Sequence, residues 1–174
     1  MEKQLVYLGL GGNIGDPIET FKKVFEQLST QPQITDLEIS PLYLTTPVSD
    51  IPQDDFINAV CSLKTTLNLE EFKDFLFSLE TTMGKRPKKK NAPRIIDIDI
   101  LFFGTKRVVL QDLHIPHLRW QERLFVLKPL SDLTDHIAVE DAGGCIKNID
   151  LNEMLNHFTN RHQEVVKKLE RIER

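Results

Sequence analysis

Residues 95–103 of the chain are IIDIDILFF, an apolar run that carries two aspartates. Side chains alternate between the two faces of a β-strand. One face would hold Asp97 and Asp99 with Ile95, Leu101 and Phe103, and the other Ile96, Ile98, Ile100 and Phe102. Two like charges on a half-apolar face repel each other, and a buried carboxylate is costly unless it is paired or bound to a metal. The stretch therefore predicts a strand with a charged site on one face.

The segments before this strand complete a βαββαβ order. They predict a strand at residues 4–10, a helix capped by Asp16, strands at residues 37–43 and 57–65, and a helix capped by Asn68. This order is typical of the ferredoxin-like α+β fold, in which both helices cover one face of an antiparallel sheet. Two short apolar segments, residues 107–110 and 124–130, are expected to add short strands, and residues 151–174 predict a C-terminal helical region. We expect residues 1–174 to form a single domain.

The composition is that of an ordinary globular protein, with 40% hydrophobic and 28% charged residues among 174. The formal net charge of −4 argues against a nucleic-acid partner. The N-terminal residues lack the pattern of a signal peptide, and no apolar run reaches membrane-spanning length. We therefore expect a cytoplasmic protein with no membrane partner. We also expect a monomer.

The aspartate pair is a candidate metal site. Positions two residues apart on a strand are about 6.5–7 Å apart, so the carboxylates of Asp97 and Asp99 can converge on two cations about 3.5–4 Å apart. Hard oxygen ligands with no histidine or cysteine beside them indicate Mg²⁺ or Mn²⁺ more than zinc. The alternative is an amphipathic strand with a solvated polar face, which the flanking apolar residues disfavour.

A glycine-rich segment, residues 9–15 (GLGGNIG), lies between the first strand and the first helix. The dinucleotide pattern GxGxxG would require glycine at Ile14, and the phosphate-loop pattern GxxxxGK[ST] does not occur. A tight turn that requires positive φ is the favoured interpretation. A backbone that approaches a ligand closely stays open as an alternative.

Two basic stretches could contact phosphate. Residues 85–94 (KRPKKKNAPR) would be solvated surface in isolation, but they lead directly into the two aspartates, where cations could neutralise a polyphosphate. His114 and His117 have no third ligand for zinc, so phosphate contact is the better interpretation.

Taken together, these stretches resemble the 6-hydroxymethyl-7,8-dihydropterin pyrophosphokinase family of folate synthesis. The matching segments are residues 9–13 (GLGGN), 43–48 (YLTTPV), 53–58 (QDDFIN), 93–101 (PRIIDIDIL), 116–117 (PH) and 123–130 (RLFVLKPL). Any one of them is a weak signal, but their order and spacing together are specific.

The resemblance implies Mg²⁺-dependent transfer of the β,γ-diphosphate of ATP to the hydroxymethyl group of the dihydropterin, by in-line attack at the β-phosphorus, with release of AMP. It implies that Asp97 and Asp99 hold two Mg²⁺ ions and that Arg94 acts with them in catalysis. It assigns pterin binding to Thr45, Pro47, Val48, Phe56, Asn58 and Phe125. It assigns ATP binding to Glu80, Arg86, Lys90, Ile100, His117 and Arg123.

Several residues depart from the family pattern. Ser49 replaces a usual glycine, Phe77 a polar residue near the nucleotide, and Leu118 a common tyrosine or proline. The basic segment is also about one residue short, which places Asn91 where many members have tryptophan. Two other functions stay open: a metal-dependent phosphohydrolase without an acceptor pocket, and a ferredoxin-like RNA-binding module.

Overall fold

The computed structural model describes residues 2–47, 51–86, 92–158 and 166–169. The strands are β1 (Gln4–Gly12), β2 (Ile34–Ile39), β3 (Tyr43–Thr45), β4 (Phe56–Thr65), β5 (Asp97–Phe103), β6 (Val108–Val109), β7 (His114–Ile115), β8 (His136–Glu140), β9 (Ile146–Asp150) and β10 (Val166–Lys168). The helices are α1 (Pro17–Ser29), α2 (Leu69–Thr82), α3 (Leu124–Ser131) and α4 (Leu151–Asn156), and a 3₁₀ turn spans Trp120–Glu122. In these ranges, none of the helices has the length and apolar character needed to cross a membrane.

The main sheet confirms the α+β prediction. Within the described residues its strands are antiparallel and follow the order β10-β3-β4-β1-β5, with β2 also paired to β4. The aspartate strand β5 is thus an edge strand next to β1, and β1 separates it from β4.

Helices α1 and α2 begin where the sequence predicts. The Asp16 carboxylate accepts a hydrogen bond from the backbone N–H of Glu19 (3.0 Å), and Asn68 forms a complete capping box with Glu71. Both helices bury their apolar side against the same face of the sheet, which confirms that prediction. The residues buried there include Phe21, Val24, Leu28, Phe72, Leu76, Leu79, Ile98 and Ile100.

Helix α3, the β8–β9 hairpin and α4 cover part of the opposite face, where Val126, Leu127 and Leu130 pack with Val60 and Leu101. Residues 124–130, expected to form a strand, are therefore helical. A short apolar run fits a buried strand or a buried helix equally well until its packing partner is known. The part of this face that α3 leaves uncovered holds the candidate site.

The alternation predicted for the aspartate strand holds as far as Leu101, which lines the pocket with Asp97 and Asp99, and is wrong for Phe102 and Phe103. Leu8 pairs with Ile100 and Tyr7 with Phe102, so Leu101 is an extra residue in a β-bulge. Phe102 consequently packs on Trp120, with ring centroids 4.9 Å apart. Phe103, and not Phe102, joins the helix-covered face, where its ring lies 5.9 Å from that of Phe72.

Two further elements differ from the prediction. The strand expected at residues 37–43 is divided into β2 and β3 around Ser40, which exchanges hydrogen bonds with the backbone of Val60 through its own N–H (2.9 Å) and its hydroxyl (3.0 Å). The region expected to be helical from residue 151 onward is helical over Leu151–Asn156, whereas Val166–Lys168 form β10. A strand forms there because β3 offers an edge of unpaired backbone groups.

Candidate active site

A pocket of about 460 Å³ opens on the uncovered part of the sheet. It brings together nine of the residues singled out from the sequence, which come from four separate segments. They are Thr45, Pro47, Phe56, Asn58, Arg94, Asp97, Asp99, Arg123 and Phe125. Of the others, Val48 and Lys90 lie outside the described residues and Arg86 is exposed. Glu80 and His117 lie beside β5, Ile100 is part of β5, and these three do not line the pocket.

The two aspartates have different surroundings. Asp97 is half-buried and forms ion pairs with Lys85 Nζ (2.8 Å) and Arg94 Nε (3.5 Å). Asp99 is exposed, and its negative charge acts on the ring of His117. The repulsion expected between the two carboxylates is therefore offset by cations of the chain itself, at Asp97.

Lys85 connects Asp97 to a third carboxylate. Its ammonium group donates to Glu80 Oε1 at 2.7 Å, and the same oxygen accepts the backbone N–H of Ile98 at 2.6 Å. Burial raises the pKa of the Glu80 carboxyl, although the bonds from Lys85 and Ile98 oppose the shift. Burial lowers the pKa of Lys85, but the hydrogen bonds to Asp97 and Glu80 outweigh it, so the pKa is raised and the side chain stays cationic.

The aromatic end of the pocket is formed by β3, β4 and the start of α3. Asn58 and Thr45 are both buried, and the Asn58 amide donates to Thr45 Oγ1 at 2.7 Å. A Cβ atom at Gly11 would lie 2.9 Å from Asn58 Oδ1, so glycine is needed to accommodate this amide. Phe56 and Phe125 line the same cavity, and the guanidinium of Arg123 lies 5.5 Å from the centre of the Phe125 ring.

The glycine-rich segment mainly allows neighbouring groups to approach the β1 backbone closely, and only its last glycine has the conformation of a tight turn. Among residues 9–15 only Gly15 has positive φ (+71°), whereas Gly9, Gly11 and Gly12 belong to β1. A Cβ atom at Gly12 would lie 2.5 Å from the carbonyl oxygen of Ile95, so a larger residue would push the aspartate segment away. The alternative left open by the sequence, a backbone beside a ligand site, fits the position of Gly9 and Gly11 in the pocket wall.

Asn13 holds the two ends of the pocket together, a role that the sequence did not predict. Its buried amide donates to Gln53 Oε1 and to the carbonyl of Asp54 (2.9 Å each), and it accepts the backbone N–H of Arg94 at 2.8 Å. A second bond runs from the Asn13 N–H to the Arg94 carbonyl at 2.8 Å. The segment that leads into Phe56 and the segment that carries Arg94 are thereby fixed to the end of β1.

The residues assigned to ATP binding near β5 lie in different environments. The N–H of His117 donates to the carbonyl of Leu101 at 3.0 Å. Burial lowers the pKa of His117, and Arg123 and Arg119 lower it further against the opposing charge of Asp99. Ile100 packs among the residues under α1 and α2, on the face opposite the pocket. Arg119, which was not singled out from the sequence, lines the pocket.

Comparison with known proteins gives consistent results. The model of the family described as 7,8-dihydro-6-hydroxymethylpterin-pyrophosphokinase matches residues 7–135. The 2-amino-4-hydroxy-6-hydroxymethyldihydropteridine pyrophosphokinase of Pseudomonas aeruginosa is 34% identical over 138 residues, which cover 79% of this chain and 85% of that protein. The protein of the same name from Helicobacter pylori is 38% identical over 128 residues, covering 72% of this chain and 78% of its own.

Other relatives are longer than this chain. The bifunctional protein FolKE of Lactococcus lactis is 33% identical over 175 residues, which cover 95% of this chain and 50% of that protein, so the chain spans about half its length. The HPPK-DHPS structure of Plasmodium falciparum superposes with a TM-score of 0.60 at 16% identity, over 89% of this chain and 41% of that one. At this identity the superposition supports the fold alone.

Proposed function

The chain belongs to the 7,8-dihydro-6-hydroxymethylpterin-pyrophosphokinase family, and we propose that it transfers the β,γ-diphosphate of ATP to the hydroxymethyl group of 6-hydroxymethyl-7,8-dihydropterin, a step of folate biosynthesis. The observation that carries the proposal is one pocket with two chemically distinct ends. Carboxylates and guanidinium groups form one end, and two phenylalanines with a buried amide form the other.

The aromatic end suits a pterin. Phe56 and Phe125 offer flat apolar surfaces on which a planar heterocycle stacks favourably. The Asn58 amide keeps one N–H on Thr45, which fixes its orientation, and its second N–H and its carbonyl can pair with a donor and an acceptor on the pterin edge. Thr45, Pro47 and Val48 would complete this part of the site.

The charged end suits a triphosphate with divalent cations. Asp97 and Asp99 would hold two Mg²⁺ ions, and their fit is supported by the carboxylate of Asp99, which is exposed and lines the pocket and is the kind of hard oxygen ligand that Mg²⁺ prefers. No group of three or more potential ligands occurs among the described residues, and Mg²⁺ is typically bound by one or two carboxylates with substrate phosphates as further ligands. When bound, the ions would neutralise phosphate oxygens and polarise the attacking hydroxyl.

The residues of the chain would position the two substrates for transfer at the β-phosphorus. A bond forms between the pterin hydroxymethyl oxygen and the β-phosphorus, and the bond from this phosphorus to the α,β-bridging oxygen breaks. AMP leaves with the bridging oxygen, and the hydroxyl proton passes to solvent. Arg94, Arg123 and the cations at residues 85–90 would neutralise the phosphates, with Glu80, Arg86, Lys90 and His117 as further ATP contacts. The Ile100 side chain packs on the opposite face of the sheet, so its contact with ATP would be through the backbone.

The nucleotide product tests this proposal. The protein is incubated with Mg²⁺ and ATP, with and without 6-hydroxymethyl-7,8-dihydropterin, and the nucleotides are separated by chromatography. We expect pterin-dependent AMP, with one AMP formed for each pterin consumed. Predominant ADP would indicate ordinary phosphoryl transfer, and a nucleotide product that forms equally without pterin would indicate a hydrolase; either result overturns the proposal.

A further inference from the structure

Strand β10 lies beyond the residues matched by the family model, which end at residue 135, yet it forms part of the sheet next to the pocket. Val166 pairs with Thr45 and Lys168 with Tyr43. Leu169 extends the contact, because its N–H donates to the carbonyl of Leu42 at 2.7 Å. β3 has only three residues, so β10 supplies one of its two strand partners.

The side chains of this strand reach helix α3 as well. Lys168 Nζ forms an ion pair with Asp132 Oδ1 at 2.7 Å, and the hydroxyl of Tyr43 donates to Asp132 Oδ2 at 2.5 Å. The Lys168 ammonium also lies 5.9 Å from the centre of the Tyr43 ring. Burial, with the bond and charge of Asp132, raises the pKa of Tyr43, so its hydroxyl stays a neutral donor.

Lys168, Asp132 and Tyr43 connect the two elements that form the aromatic end of the pocket, namely β3, which carries Thr45, and α3, which carries Phe125. Tyr43 lies two residues before Thr45 on β3, on the same side of the strand. Asp132 is the C-terminal cap of α3, the helix whose first turn carries Phe125. The carboxylate of Asp132 is therefore a link between the Thr45 wall and the Phe125 wall, and Lys168 fixes that carboxylate in place.

We propose that Lys168 is a positioning residue for the pterin end of the site, which sets the separation of β3 and α3 through Asp132 and Tyr43. The inference rests on the proposed function, because the ligand it concerns is the pterin. Lys168 does not line the pocket itself. Its loss should therefore weaken binding of the ligand held between the two walls and leave the charged end unchanged.

The test compares Lys168→Met, Lys168→Arg and Asp132→Asn with the unmodified protein, by AMP formation at varied dihydropterin and varied ATP. Lys168→Met is expected to raise the KM for the dihydropterin about three- to fivefold, the range for an ion pair with one half-exposed partner. The KM for ATP and kcat should change less than about twofold, and Lys168→Arg should restore the KM. Asp132→Asn keeps an oxygen for Tyr43, and its effect should not add to that of Lys168→Met.

Lys64→Met is the matched control. Lys64 is about as exposed as Lys168, and it forms an ion pair of similar length with Asp36 (2.9 Å), a more exposed carboxylate than Asp132, at the far end of β4 from Asn58. The inference is overturned if this control raises the dihydropterin KM equally, if the ATP KM rises in parallel in Lys168→Met, or if Lys168→Met leaves the dihydropterin KM unchanged. A failure of the proposed function is distinct from these outcomes, because unmodified protein would then form no pterin-dependent AMP.

Discussion

Replacing Asn13 with alanine should damage both stability and activity, because this side chain fixes two segments of the site. The variant removes three side-chain hydrogen bonds of 2.8–2.9 Å, to Gln53, to the Asp54 carbonyl and from the Arg94 N–H. At about 1 kcal/mol for each bond, the free energy of unfolding should fall by about 3 kcal/mol. For a chain of this size that corresponds to a decrease in Tm of about 6–12 °C.

The effect on catalysis should exceed what stability explains. The lost bonds hold the segments that carry Phe56 and Arg94, and a displacement of about 1 Å at reacting groups can cost about 100-fold in rate. We expect kcat/KM for the dihydropterin to fall about 100-fold at 25 °C, where the variant is still folded. AMP formation measures the rate, and urea unfolding can be followed through Trp120, the single, buried tryptophan of the chain.

Asn152→Ala is the control, because Asn152 is exposed and its amide makes one longer bond, to Asp135 at 3.3 Å. It should change the free energy of unfolding by less than about 0.5 kcal/mol and leave kcat/KM unchanged. An Asn13→Ala protein with kcat/KM within threefold of normal would refute the positioning argument. An unfolding free energy equal to that of the unmodified protein would refute the hydrogen-bond estimate.

Five other substitutions test three separate parts of the site. Asp97→Asn and Asp99→Asn should each abolish AMP formation while the cooperative urea transition is retained; near-normal turnover at saturating Mg²⁺ would exclude the metal assignment. Phe56→Ala and Phe125→Ala should weaken dihydropterin binding about 5- to 150-fold, the range for aromatic stacking of about 1–3 kcal/mol, with ATP affinity measured by calorimetry unchanged. Equal losses for both ligands would mean that the rings are structural. Gly12→Ala places a Cβ atom 2.5 Å from the Ile95 carbonyl oxygen. It should lower the free energy of unfolding by about 1–3 kcal/mol. A Tm equal to that of the unmodified protein would show that β1 and residues 94–95 move apart at little cost.

The sequence predicts well those parts of the fold that depend on local chemistry. Asp16 and Asn68 mark the starts of α1 and α2 because capping uses a side chain and a backbone N–H only three residues apart. The bulge at Leu101 has no such local signal, since it is defined by the register of β5 against β1. The strand at Val166–Lys168 likewise depends on the edge of β3, more than 120 residues earlier in the chain.

The residues of the candidate site likewise fall into those with a local sequence signal and those that depend on distant partners. Residues with a recognisable chemical pattern, such as Asp97 and Asp99, were found from the sequence, and so were the aromatic residues through the family resemblance. Asn13 was missed as a site residue, because its partners are distant along the chain. Lys85 was expected as one cation of the basic segment, but its ion pairs with Glu80 and Asp97 were not predicted. Asn13 contacts residues 40 and 81 positions away, and Lys85 belongs to a run of charges that, by composition, is typical of solvated surface.

The charge of two aspartates in an apolar strand can be compensated by cations of the chain or by metal ions. The structure indicates a different answer for each of the two aspartates. Asp97 already has Lys85 and Arg94 beside it, so the charge of Asp97 alone does not require a metal. Asp99 is exposed at the pocket, and the charge it presents acts on His117, whose pKa is nevertheless lowered by burial. A neutral imidazole does not compensate a carboxylate. The case for divalent cations therefore depends on Asp99 more than on Asp97, and Asp99 is the residue at which the metal proposal can be tested without also removing an ion pair between described residues.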